Sequence, residues 1–287
     1  MTNTSKRVRS VLSALVSFIM SLFITGGILC SALYVTALND DFAVSVIERS
    51  QYAELLSAEL KEEFISYGHA SNIDDTFFDS LFEKELTPQR IGTDTEHMIR
   101  DFYAGNVQNS VQTDDLEAIL FEDLKDYAAQ RGFALDDETV ENLQIVSSEL
   151  CEEYNAYVSV FSQSYFRTAS RMLSNYSPYA LYAAVICAVG FAVSAVILRL
   201  FYRKKTNYLR YFIYAFSGAM LMLLAAPLAA LCGGIGSRIN IASAALYSMA
   251  SGMPNSIFVA VAVSAAIPAL CTVLLSVLWI AARRKNK

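Results

Sequence analysis

The sequence predicts an all-α integral membrane protein: four transmembrane helices, with an all-helical extracytoplasmic bundle inserted between the first and second. Three observations carry this expectation. Four apolar segments, roughly 11–37, 179–201, 209–232 and 257–281, hold no Asp, Glu, Lys, Arg or His except a basic residue at an edge. Each is long enough to cross a bilayer, which takes about 20 residues. All 28 acidic residues fall between Asp40 and Glu153, inside a polar interval of 139 residues spanning 39–177. Within that interval apolar residues recur at helical rather than strand spacing.

The formal net charge of −6 divides sharply along the chain. The interval 39–177 sets nine Lys and Arg against its 28 acids and so carries −19, while the other 13 basic residues face no acid. Such a split implies two different surroundings. Lys6, Arg7 and Arg9 precede the first apolar segment; Arg203, Lys204 and Lys205 lie between the second and third; Arg283, Arg284 and Lys285 follow the fourth. Cytoplasmic connections of membrane proteins are enriched in Lys and Arg, so these residues set the topology, with both termini inside. The expected partition is a basic tail 1–10, transmembrane helix 11–38, acidic outer domain 39–177, transmembrane helix 178–202, basic loop 203–208, transmembrane helix 209–232, outer loop 233–256, transmembrane helix 257–281 and basic tail 282–287.

Lys6-Arg7-Val8-Arg9 ahead of an apolar run also describes a signal peptide, and Val35-Thr36-Ala37 would pass as a cleavage site. The run is far longer than the 7–15 residues of a signal h-region, which favours a retained, tilted helix. Leu29-Cys30 lacks the small residue that should precede a lipoprotein cysteine.

In the outer domain, Tyr52, Leu55, Leu56, Leu60 and Phe64 form one stripe of a helix expected from Asn39 to Tyr67 and closed by Gly68. A short helix over 73–84 carries Phe77, Phe78, Leu81 and Phe82, and Pro88 opens a third over 88–104, closed by Gly105. Asp114 and Glu117 suggest a capping box for a fourth, closed by Gly132. A fifth is expected from Asp136 to Asn175, carrying Val140, Leu143, Val146, Leu150, Tyr154, Tyr157, Phe161 and Tyr165 on one stripe. At 1.5 Å per residue it would be about 60 Å long, so it and the first would make a stem.

Ser177-Pro178 is expected to open the second membrane helix, the hydroxyl as cap and proline in the first turn. Tyr176, Tyr179 and Tyr182 mark one interface; Tyr202, Tyr208, Tyr211, Tyr214 and Trp279 mark the other, as an aromatic belt requires. Ala183, Ala184, Ala188, Gly190, Ala192, Gly218, Ala219, Ala225, Ala226, Ala229 and Ala230 give the second and third helices faces for close approach. Pro227 and Pro268 are candidate kinks, and Ile239–Met249 a candidate short interfacial helix.

Sites for chemistry are sparse. Asp74-Asp75, Asp114-Asp115 and Asp136-Asp137-Glu138 offer oxygen ligands for calcium, yet none has EF-hand spacing and each sits where a helix starts and free N–H groups need a cap. His69 and His97 are 28 positions apart, and a zinc site there would need further ligands from the acids. No nucleophile elbow, zincin motif or P-loop appears, and Glu96 and His97 point in different directions on a helix. Gly233-Gly234-Ile235-Gly236 follows no strand and reads as a turn. The membrane segments lack the interior ionisable residues that mark proton routes. Cys151 alone among five cysteines lies in the outer domain, which excludes a disulfide within it and reads as a buried thiol. The sequon Asn175-Tyr176-Ser177 sits almost at the membrane. Both points lean toward a bacterial plasma membrane. No catalytic residue, cofactor or metal is assigned.

The cytoplasmic pieces are too short to fold into a kinase, an ATPase or an adaptor, so any signal must pass through another protein. The expected role is non-enzymatic: the outer domain binds or senses an envelope component or partner protein. The expected partners are the lipid bilayer, a protein in the membrane or envelope, and a further copy of the chain, but no nucleic acid. The order of one membrane helix, an outer domain and three more helices resembles, in topology alone, the ABC-family permeases that transmit force. That resemblance implies a subunit of a mechanotransmission complex coupled to an ATPase; no motif of the family is present, and an all-helical outer domain departs from its pattern. A purely structural envelope protein is the remaining alternative.

Overall fold

In the computed structural model, residues 3–107, 111, 113–162, 164–202, 205–234 and 240–284 are described, and among them every regular element is helical. The α-helices are α1 (Asn3–Val35), α2 (Asp40–Arg49), α3 (Tyr52–Ala70), α4 (Asp75–Lys84), α5 (Pro88–Ala104), α6 (Asp114–Gln130), α7 (Asp137–Val158), α8 (Ser164–Phe201), α9 (Lys205–Cys232), α10 (Ala244–Ser264) and α11 (Ala266–Arg284). A 3₁₀ turn, Val160–Ser162, separates α7 from α8. Four stretches are long and apolar enough to cross a membrane: Arg7–Val35, Phe166–Phe201, Asn207–Cys232 and Ala244–Arg284. The chain divides into two compact units, one of 1–42, 176–238 and 253–287, the other of 43–175 and 239–252.

The first unit is built around α1. Ser17 Oγ donates to the Tyr211 carbonyl at 2.7 Å, a Cβ on Gly218 would meet Ser21 at 3.4 Å, and Thr25 Oγ1 lies 3.7 Å from Met222 Sδ. Partners rise together in number, so α1 and α9 run parallel. Against α8 the order reverses: Ser13 meets Tyr202, Phe23 packs on Gly190, and Gly26 faces Cys187. Those two helices are therefore antiparallel. Met20, Ile24, Leu198, Ala215 and Ala219 form the buried centre. Of the small residues expected to serve close approach, Gly190, Gly218 and Ala219 pack toward the first helix, whereas Ala188, Ala192, Ala225, Ala226 and Ala229 are exposed. α11 starts beside Leu223, with Val261 and Ala265, and packs along α9.

The second unit has a conventional apolar core. Phe64 of α3 meets Phe82 and Phe78 of α4 edge-on at 5.5 and 6.3 Å, and Leu56, Leu60, Leu120 and Leu124 are fully buried in the same unit. Each such side chain contributes about 1.5–3 kcal/mol by leaving water.

Several expected boundaries are corrected. The Asn39–Tyr67 helix breaks at Ser50-Gln51, where Gln51 adopts φ 55°. Ile47 and Leu56, both buried, are nine residues apart and would face opposite sides of a straight helix of 3.6 residues per turn. The break buries both. Gly68 does not end α3, which runs to Ala70; Asn72, at φ 59°, supplies the left-handed residue, and Gly68 instead makes room for the Phe78 ring. α6 is preceded by Thr113 rather than capped by Asp114, and no side chain caps it. The Asp136–Asn175 helix is interrupted between Val158 and Ser164. The interruption lets Phe161 and Phe166 both reach Phe102, at 5.8 and 6.2 Å, which five residues along one continuous helix would prevent. On α7 burial begins only at Ser147, leaving Val140, Leu143 and Val146 half-exposed; the Tyr165 side chain lies outside the described residues.

Ser177-Pro178 opens nothing: α8 passes through Pro178 without a break, giving up one backbone hydrogen bond. The fourth membrane segment is two helices, parted at Ala265, so that Pro268 falls in the first turn of α11, where its missing N–H is harmless. The candidate interfacial helix is the start of α10, which begins at Ala244 and continues past Pro254; Ile239 lies outside the described residues.

Candidate functional site

The α6–α7 hairpin presents the feature best suited to recognition. α6 stops because Gly132 takes φ 79°, and the Phe133 N–H returns to the Ala128 carbonyl at 3.0 Å. Four residues later Asp136 caps α7, its Oδ1 accepting the Thr139 N–H at 2.9 Å. Hydrogen bonds from Thr139, side chain first and backbone second, hold the Asp136 carboxyl below its ordinary pKa. The turn between these stops carries Phe133, 57% exposed, and Leu135, 41% exposed; Ile145 on α7 is 50% exposed. Exposed Asp126, Asp137, Glu138 and Glu141 accompany them in sequence. Arg131, the nearest cation along the chain, is engaged by Asp74 and lies 5.2 Å over the Tyr127 ring. The hairpin end is thus apolar with an anionic surround.

A second feature joins the two non-basic connections within one unit. Glu59 of α3 takes up the amino end of α10: its Oε2 accepts the Ser243 hydroxyl at 2.7 Å, and its Oε1 accepts the N–H groups of Ala244 and, at 3.1 Å, Ala245. Ser243 Oγ in turn accepts the Leu246 N–H at 3.1 Å. A carboxylate here meets unpaired N–H groups and the positive end of the helix dipole. Close by in the fold, a Cβ on Gly252 would lie 3.7 Å from Val46. Tyr52, fully buried with no hydrogen-bond partner for its hydroxyl, has its pKa raised by burial and then by the Glu59 charge.

Between α5 and α7 the Tyr154 hydroxyl donates to Asp94 Oδ2 at 2.5 Å, and burial first, then that bond, raises the tyrosine pKa. Cys151 is buried and unpaired, its thiol pushed up to about 12 by burial, with Glu117 adding to the shift and Arg90 opposing it. A thiol so protonated is a packing residue rather than a nucleophile at neutral pH.

The other candidates are dispersed. His69 pairs with Asp75 at 2.6 Å, Glu96 with Arg100 at 2.9 Å, and His97 is exposed. Among the described residues no three His, Cys, Asp or Glu side chains converge as a metal would need. Gly233 and Gly234, the latter at φ 59°, terminate α9; Ile235 and Gly236 lie outside the described residues.

Of the topology-determining residues, Arg9 stacks 4.1 Å over the Tyr202 ring and Arg283 5.3 Å over Trp279, while Arg7 and Arg284 are exposed. Lys6 and Lys205 belong to helices, their side chains outside the described residues, as are Arg203, Lys204 and Lys285 entirely. The Arg9–Tyr202 contact brings the start of α1 and the end of α8 together at one end of the first unit.

Sequence reasoning missed the hydroxyl stripe of α1. Ser13, Ser17 and Ser21 recur every four residues and are buried at 5% exposure or less, with Thr25 continuing the row. That spacing was visible and marks the face turned to α9. No protein-family model, curated protein or solved structure matches the chain.

Proposed function

We propose that this is a multi-pass plasma-membrane protein, both termini cytoplasmic, whose acidic helical unit faces outward and binds a protein partner of the envelope or membrane. The observation that carries the reading is the α6–α7 hairpin end. Phe133 and Leu135 remain in water two positions apart on one short turn, with Ile145 exposed further along α7, whereas the other exposed large apolar residues of the unit, Met172, Ile241 and Tyr247, lie elsewhere along the chain. Exposed apolar side chains grouped at one place mark interaction sites more often than scattered ones do. Their anionic surround favours a partner surface that is apolar at its centre and basic at its rim. The orientation is supported by the basic residues at one end of α1, α8 and α9, and by the gathering of 43–175 and 239–252 into one acidic unit. Only three residues separate the end of α8 at Phe201 from the start of α9 at Lys205, short for the coupling segment an ATPase would need, which weighs against the permease plan.

In-cell photo-crosslinking tests this. A photoreactive residue at Phe133 should capture a discrete protein that one at exposed Glu62 of α3 does not, and Phe133→Ser with Ile145→Ser should abolish its co-purification while the helical circular dichroism is kept. Equal capture from both positions, or capture of this chain alone, would replace the proposal with a structural, self-associating role.

A further inference from the structure

The basic end of the first unit holds a polar cluster whose charge no described carboxylate of that unit answers. Arg9 lies with its guanidinium 4.1 Å over Tyr202, and its buried Nε has no hydrogen-bond partner. A chain of hydroxyls runs beside it. Ser13 Oγ donates to the Tyr202 hydroxyl at 3.2 Å, that hydroxyl donates to Tyr211 Oη at 3.1 Å, and Tyr211 Oη lies 3.2 Å from Ser10 Oγ. The Tyr202 and Tyr211 rings are stacked at 5.5 Å, and Ser17 holds the Tyr211 carbonyl, so the cluster is fixed by the packing of α1 on α9 and by Tyr202 just past the end of α8. Arg210, on the same turn of α9 as Tyr211, is parked against Tyr214.

No carboxylate side chain of this unit lies near this end. Residues 1–39 and 154–287 contain no Asp or Glu, and the only acids of the first unit are Asp40 and Asp41. Asp40 lies 31 positions beyond Arg9, about 45 Å along a helix at 1.5 Å per residue. A guanidinium held at the end of a membrane-spanning helix lies at the depth of lipid phosphates, and its planar fork matches a phosphate in two hydrogen bonds. Simple snorkelling would explain a cation at this depth but not the ordered hydroxyl donors around it.

We propose that Arg9, with the hydroxyls of Ser10 and Tyr211, binds the phosphate of an anionic phospholipid headgroup between the starts of α1 and α9, beside Tyr202. The proposal requires only that these helices cross a bilayer and does not rest on the partner-binding role of the α6–α7 hairpin.

The test is native mass spectrometry of the full chain released from detergent, with phosphatidylglycerol or phosphatidylcholine of matched acyl chains added. The wild type should retain phosphatidylglycerol in preference to phosphatidylcholine. Arg9→Gln should lower phosphatidylglycerol retention about fivefold and leave phosphatidylcholine unchanged. Arg9→Lys keeps the charge but loses the fork, and should lower it about twofold. Arg283→Gln, which removes a cation resting on Trp279, should change neither lipid. Unchanged retention in both Arg9 variants would overturn the site. Equal losses in Arg9→Gln and Arg283→Gln would overturn it too, since diffuse surface charge would then suffice. Should Arg9→Gln fail to fold, Arg9→Lys decides by the same readout. Displacement of phosphatidylglycerol by inorganic phosphate at equal concentration would reassign the ligand to a soluble phosphate and refute the headgroup.

Discussion

Replacing Glu59 with alanine should loosen the first turn of α10 while leaving the rest of its unit folded. The carboxylate accepts three hydrogen bonds, from the Ser243 hydroxyl at 2.7 Å, the Ala244 N–H, and the Ala245 N–H at 3.1 Å. Bonds to a charged acceptor are worth about 1.5–3 kcal/mol each, so a naive sum would exceed about 5 kcal/mol. Two of the three donors have an alternative. The Ser243 hydroxyl is only partly buried and the Ala244 N–H is exposed, so both can turn to water. Only Ala245, fully buried, is left with a stranded donor. The expected cost is therefore that of one unpaired buried group, about 2 kcal/mol. Amide hydrogen exchange over 243–252, followed by mass spectrometry on the intact protein in detergent, should accelerate about 30-fold. Glu59→Gln retains an acceptor and loses only the charge–dipole attraction, about 0.5–1 kcal/mol, so about threefold is expected. Exchange within twofold of wild type in Glu59→Ala would refute the reasoning. An equal acceleration across α3–α7 would refute it as well, by showing that Glu59 supports the whole unit rather than this junction.

Two further outcomes test the fold. Gly68→Ala would drive a methyl into the Phe78 ring, which is wedged against Phe77 at 5.2 Å and Phe64 at 6.3 Å. Overpacking of this kind costs about 1–3 kcal/mol, and a lower midpoint in thermal circular dichroism should be partly restored by adding Phe78→Leu; an unchanged midpoint would exclude the close approach. For Asp136 the folded-state pKa is depressed, so its stabilisation of α7 is complete above the ordinary Asp value and is lost as pH falls through the lower folded value. Exchange protection at the start of α7, corrected for intrinsic rates, should decline on acidification in the wild type and stay flat in Asp136→Asn, which caps as well without titrating; parallel declines would show that another group governs it.

The elements that were legible in the sequence are those specified by local chemistry. Pro88 and Gly105 bound α5 as expected, because a fixed φ at one end and a left-handed φ of 87° at the other are properties of those residues alone. Gly132 and the Asp136 cap were likewise readable, and so was the half-hidden hydroxyl row Ser13, Ser17, Ser21 and Thr25 once its spacing is counted. Gly68 and Pro178 carried the same signals and were misread. Gly68 answers to a ring that arrives from α4, and Pro178 to a helix long enough to bear one lost bond.

By itself the sequence determined the four apolar spans, the all-helical character, and the segregation of 28 acids from 13 unmatched basic residues. Composition and periodicity suffice for these, since transfer between water and lipid acts on each segment separately. Only the tertiary structure decided that α1 packs parallel to α9 and antiparallel to α8, that Glu59 receives the start of α10, and that Arg9 stands over Tyr202. These contacts join residues roughly 180 to 200 positions apart. No local propensity encodes such a pairing; it follows from which surfaces fit together when the helices are packed.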